Sequence, residues 1–207
     1  AASAVKVGLK RRAEHPDYDG TEEFNYFMSV LFPASQLSIL AYNRVVRDLN
    51  GLTKDEFLNA LAGENGPFEI IHTQESQLEP IDKGAVGMYL DREWYGLGVK
   101  PEFESSDPVD GLDVSILQEK VLAPILGIGD PRTDERIEFV GGIRGLRKLE
   151  RKVNRIDARG DGPAVAFAMF PTSIDELRNV ADADRLMPPK STWFEPKLRS
   201  GLFAHLI

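Results

Sequence analysis

Two stretches of the chain combine residue types that can hold a negatively charged group. In the first, EFVGGIRGLRKLERKVNRI, a short apolar run leads through Gly141 and Gly142 into a helical pattern with Arg144 in its opening turn. Backbone N–H groups at a helix start present the positive end of the peptide dipoles to an anion. Glycine lets that anion come close, because it lacks a Cβ and tolerates φ above zero. Arg144 could add a two-pronged guanidinium contact to phosphate or carboxylate. The same residues also read as an ordinary tight turn followed by a solvated arginine face. They are not a P-loop, since no Lys-Ser or Lys-Thr follows the glycines at the required spacing.

The second stretch is MPPKSTWFEPKLRSG, from Met187 to Gly201. Pro188, Pro189 and Pro196 forbid a helix there and keep the backbone extended. Lys190, Lys197 and Arg199 could counter a phosphate, while Ser191 and Thr192 could donate hydrogen bonds to it. A connector anchored in the core by Trp193 and Phe194 explains the composition equally well. Elsewhere Asn43-Arg44, followed by Arg47-Asp48, could line a site, and an ion pair explains them as well. His72 beside Glu75 has the look of a general base, but a strand histidine bonded to a neighbour looks the same. The chain has no cysteine and three histidines. That leaves no thiolate metal site and no cysteine nucleophile, and the reading assigns no metal.

The elements that must position these residues follow from periodicity. Residues 1–13 read as the end of a helix, and His15 to Gly20 as a loop. Phe24 to Phe32 and Leu37 to Val46 are rich enough in aromatic and β-branched residues to be strands. Thr53 with Glu56 forms a capping box for a helix through Leu61, and Phe68 to Thr73 is a third strand. Gly84 to Leu90 and Trp94 to Val99 form a hairpin turning at Asp91-Arg92. Asp113 caps a helix running to about Leu122. Ile137 to Val140 is a strand, the glycine pair opens a helix from Ile143 to about Ile156, and Ala164 to Phe170 is another strand. Ser173 with Glu176 caps a last helix, and Leu198 to Leu206 closes the chain as a strand.

An antiparallel meander in the first half, then β-α-β-α-β alternation, predicts an α+β fold: one mixed sheet with flanking helices. No repeat or long linker interrupts residues 1–207, so the sequence predicts a single domain. Ala1-Ala2-Ser3-Ala4-Val5 begins mid-helix with neither Met nor cap, which predicts that the natural protein continues upstream of Ala1.

Charge narrows the ligand. The net charge is −8, the wrong sign for a general nucleic-acid binder. From Arg132 to Arg159, however, nine basic residues face five acidic ones, a local +4 on an acidic body. A small anionic partner suits that better than a long polyanion. The longest apolar runs, such as Val165 to Phe170, are too short to span a bilayer, and no signal peptide is visible. The sequence therefore reads as cytoplasmic, without a membrane partner.

Four segments, taken in order, resemble a known family: YNRVVRDLNGL from Tyr42, DVSILQEKVLAPILGI from Asp113, FVGGIRGL from Phe139 and MPPKSTWFEPKLRSGLF from Met187. They are similar to the bacterial and archaeal domain-of-unknown-function family ten-fifteen. Members of that family are longer, and their first half looks like a ParB/sulfiredoxin-type domain ending in an Asp-Gly-His-His-Arg signature. The resemblance makes this chain the C-terminal half and the missing N-terminal half its partner. Relatives of the ParB-type fold include an ADP-dependent small-molecule kinase, nucleotide hydrolases and DNA binders. What the likeness implies is a protein that handles a nucleotide or phosphorylated small molecule; it leaves the cofactor open, with ADP and ATP as the candidates. If it is an enzyme, the expected class is phosphotransferase or nucleotide hydrolase, with this fragment inactive alone. A regulatory, DNA-partitioning-related or purely structural domain is the alternative.

Overall fold

Strands whose alternate residues are both apolar have to be covered on two sides, and Val165-Ala166-Phe167-Ala168-Met169 is such a strand. The computed structural model describes residues 2–74, 76–197, 199 and 201–206. The chain forms two compact units, residues 38–195 and residues 1–37 with 196–207.

The larger unit is built on eight strands: β1 (Ser38–Leu40), β2 (Tyr42–Val46), β3 (Phe68–Gln74), β4 (Ala85–Leu90), β5 (Glu93–Val99), β6 (Ile137–Gly141), β7 (Val165–Met169) and β8 (Trp193–Glu195). Six of them make one sheet in the order β3-β5-β4-β7-β2-β6, and β1 pairs with β8 in a second, two-stranded sheet. Every pairing among the described residues is antiparallel. The fold is α+β, as the sequence indicates, with helices flanking the sheet.

Two core layers follow from the strand period of two. On one face Val45, Tyr89, Trp94, Ala166 and Ala168 meet Leu149 and Val153 of α4 (Leu146–Asp157). The alanines of β7 leave room for that helix to lie close. On the other face Val46, Met88, Leu90, Val165, Phe167 and Met169 join Phe57 and Leu61 of α2 (Lys54–Ala62). Val114, Ile116 and Leu117 of α3 (Asp113–Leu117) and Val180 of α5 (Ile174–Asp182) pack there too. Both expected capping boxes form. Thr53 accepts from the Glu56 amide and Ser173 from the Glu176 amide, with each glutamate returning the contact. The β4–β5 hairpin turns at Asp91-Arg92, both with φ above zero.

Several expectations are corrected. The strand expected over Leu37 to Val46 is two strands divided at Ala41. Asp113 does not cap α3; it is the first helical residue, and its carboxylate accepts the Gly84 amide at 3.0 and 3.1 Å. The helix stops after five residues and continues as a wide π-type turn, Gln118–Leu122. The glycine pair ends β6 and enters a short 3-10 turn, Gly142–Arg144. Helix α4 opens one step later, at Gly145 with φ +66°.

In the smaller unit, α1 (Ala2–Glu14) carries Arg11 and Arg12 in its last turn, and Arg12 donates to Asn25 at 2.7 Å. The expected strand over Phe24 to Phe32 is absent. Its start is a 3-10 turn, Glu23–Asn25, and residues 26–32 pair with no strand among the described residues. A strand exists only where its N–H and C=O groups find a ladder partner, which composition alone does not show. Of the closing strand expected over 198–206, residues 199 and 201–206 are not strand. Leu198 and Ser200 lie outside the described residues.

Candidate functional site

A buried guanidinium needs something to answer its charge. Arg44 lies in β2 opposite Phe139 of β6 and Phe167 of β7, and the strand period turns it to the same face as Val46. It is only 3% exposed. The guanidinium donates to the carbonyl of Tyr42 and, at 3.2 Å, to that of Lys190. It also stands 5.6 Å over the Phe139 ring. No carboxylate among the described residues pairs with it. Asp48, the nearby acid in sequence, is instead 3.3 Å from Arg136. Burial lowers the Arg44 pKa to about 10, which leaves it charged at neutral pH.

Arg44 lines a cleft of about 920 Å³. Its walls come from the loop 102–110, from α3 and the π turn, from the loop 129–132, and from Leu186, Pro188 and Pro189. Ser115 of α3 lines it too, and its hydroxyl is buried without a hydrogen-bond partner among the described residues. Native proteins leave few such groups, because an unmet buried polar atom costs about 1–3 kcal/mol. The π turn is a local irregularity of a kind that gathers at functional sites. Gln118 at its start donates to the carbonyls of Ile128 at 2.8 Å and Gly129 at 3.4 Å, tying the 129–132 wall to the helix. Arg185 reaches Asp107 at 3.3 Å and links the segment after α5 to the 102–110 wall.

The anion contacts expected from sequence fall in several places. Gly141 pairs with Tyr42 across the sheet. A Cβ on it would stand 2.5 Å from the Trp193 ring, so close packing is what requires glycine there. The Gly142 amide donates to the Ala41 carbonyl at 2.7 Å and is thus already engaged. Arg144 is exposed in its 3-10 turn. Lys190 has φ +56°, a conformation that costs a side-chain-bearing residue roughly 1–2 kcal/mol. In that conformation its carbonyl meets Arg44, and its ammonium lies 5.5 Å over the Tyr42 ring. Ser191 is buried and its carbonyl accepts from Thr172 at 3.3 Å, while Thr192 is half-buried. The Tyr42 and Trp193 rings lie 5.2 Å apart, tilted at 59°, so the Gly141 end and the Lys190–Trp193 run do meet, around aromatic rings. Lys197 and Arg199 are exposed residues of the smaller unit. His72 is exposed on β3, and Glu75 lies outside the described residues.

Sequence reasoning named Arg44 without ranking it and missed Ser115 altogether. A single polar residue inside DVSIL carries no signal that its hydroxyl will be orphaned.

The fold and the cleft together define an α+β protein whose antiparallel sheet carries a buried, acid-free arginine that lines a cavity. The chain belongs to the family described as Protein of unknown function (DUF1015), whose model matches residues 1–115. Arg44 and Ser115 both fall within that span, whereas the 129–132 and 186–189 walls lie beyond it. No curated protein matches the chain. Among the described residues no helix is long and apolar enough to cross a membrane.

Proposed function

We propose that the chain binds a small anionic molecule, of the nucleotide or phosphorylated small-molecule class, in the cleft lined by Arg44. The observation that carries this reading is a charged guanidinium, almost fully buried, with no carboxylate to neutralise it. Breaking a buried ion pair typically costs about 3–5 kcal/mol, so a protein does not keep half of one without a use. A guest anion supplies the missing half, and the two carbonyls that hold Arg44 fix the guanidinium for it. Lys190 acts here through its carbonyl. The glycine turn serves as a packing surface under Trp193, with Arg144 left as a peripheral cation.

In the same reading the chain is the C-terminal part of a ParB-like protein, and the ParB-type segment expected before Ala1 supplies the chemistry. Transfer or hydrolysis of a phosphoryl group would then need both parts, with ADP or ATP as the natural cofactors to try.

Titration of the chain with inorganic phosphate, ADP and ATP, followed by amide chemical shifts, tests the site. Saturable shifts should centre on Arg44, Ser115 and residues 118–122, and Arg44→Gln should remove them. Shifts confined to other surfaces, or unchanged binding by the Arg44→Gln chain, would overturn the reading.

The exposed arginines of α4 favour a second reading, an interaction domain without a small-molecule ligand. It differs in predicting a partner on the opposite face of the sheet from Arg44.

A further inference from the structure

The charges around the cleft are sorted by depth. Arg44 is nearly inaccessible, while Glu102, Glu104, Asp110 and Glu119 line the same cavity as exposed residues. None of these four carboxylates makes an ion pair among the described residues. A fifth acid of the lining, Asp130, is neutralised by Arg132 at 2.8 Å. Lys120 is the one exposed lysine of the lining. The mouth is therefore negative and the buried base positive.

That arrangement selects among anions. A molecule carrying only negative charge is repelled by the mouth before it reaches Arg44, and the more charge it carries the stronger the repulsion. A ligand that brings its own positive charge meets no such barrier and gains from both ends.

We infer that the guest of the Arg44 cleft is a small dipolar molecule, with one phosphate or carboxylate set against Arg44 and a protonated amine facing the exposed acids. This rests on the anion-site reading above and narrows it away from polyphosphate nucleotides. Ser115, whose buried hydroxyl lacks a partner, lies on the same wall as Glu119 and Lys120 and can bond to the anionic group.

Calorimetric titration of the chain with phosphoethanolamine, ethyl phosphate and 4-aminobutyrate tests the inference. The first two share a phosphate and differ in the ammonium, and the third replaces phosphate by carboxylate. Phosphoethanolamine should bind about tenfold more tightly than ethyl phosphate. The paired surface change Glu102→Gln with Glu119→Gln should erase that preference without weakening ethyl phosphate. Comparison with 4-aminobutyrate shows which anion the cleft takes. Equal binding of ethyl phosphate and phosphoethanolamine by the unmodified chain overturns the dipolar ligand and leaves the anion site standing. Absence of saturable binding by all three overturns both. Ser115→Ala, which removes one oxygen from a short helix, serves as a second variant should Arg44→Gln fail to fold, and it should weaken whichever ligand binds.

Discussion

Asp113 shows how strongly one position can depend on its surroundings. Burial pushes its carboxyl up to about 6, against the pull of the Gly84 amide; Glu176 adds to the rise and Lys83 opposes it. Folding therefore favours the protonated acid. The stabilising contribution is complete below the ordinary pKa of 3.8 and is lost as pH rises through about 6. The span corresponds to about 3 kcal/mol. Glu176, hydrogen-bonded by Lys83 and its own cap, is lowered instead and works in the opposite direction. The informative quantity is thus the difference between two chains. Asp113→Asn, denatured in urea from pH 4 to 7, should gain stability relative to the parent as pH rises, with most of the change complete by about pH 6. Parallel curves would show that Asp113 stays ionised in the fold. Such environments are hidden at the level of single residues. Asp113 reads as a helix cap, and Asn43-Arg44 with Arg47-Asp48 reads either as the lining of a site or as an ion pair. The cap and the ion pair each assume a local partner, whereas Asp113 meets Gly84 and Arg44 meets the Lys190 carbonyl besides that of Tyr42.

Secondary elements were legible where their signals are local. The Thr53 and Ser173 capping boxes and the β4–β5 hairpin depend on residues within a few positions of one another, and all appear. The strands expected over Phe24 to Phe32 and at the end of the chain depend on a distant ladder partner, and composition cannot supply one. The π turn was equally invisible, since nothing in Gln118–Leu122 breaks the helical spacing. The hairpin turn offers a sharp test at this scale. Asp91 and Arg92 have φ of 50° and 65°, the geometry of a type I′ turn, whose second position favours glycine. Arginine there bears a strain of roughly 1–2 kcal/mol, more than the roughly 0.4–1 kcal/mol of chain entropy that glycine would add to the unfolded state. Arg92→Gly should therefore stabilise the protein by about 0.5 kcal/mol and raise Tm, while Asp91 keeps its 2.9 Å contact to Lys54. A lower Tm would mean that Arg92 makes compensating contacts worth more than its strain.

Across the whole molecule, charge and function have to be reconciled. The net charge is −8 and residues 132–159 carry +4, so the basic face of α4 stands on a strongly acidic chain. Within α4, Lys152 is spent on Glu138, and Arg147, Arg151 and Arg155 remain exposed at steps of four. If these three gripped a nucleic-acid backbone, the logarithm of the binding constant would fall with the logarithm of salt at a slope of about −3. The rest of the chain, at −12, repels the same polyanion. Repulsion from the remainder should outweigh three surface contacts once salt is near physiological, because each such contact is weak and screened beyond roughly 8 Å. A duplex DNA fragment in a gel-shift experiment should then show no saturable complex at about 0.15 M salt. The opposite result, a complex with the slope of about −3 that vanishes in the paired change Arg147→Glu with Arg151→Glu, would favour the interaction domain. It would also place the working surface on the α4 face, with Arg44 on the far side of the sheet.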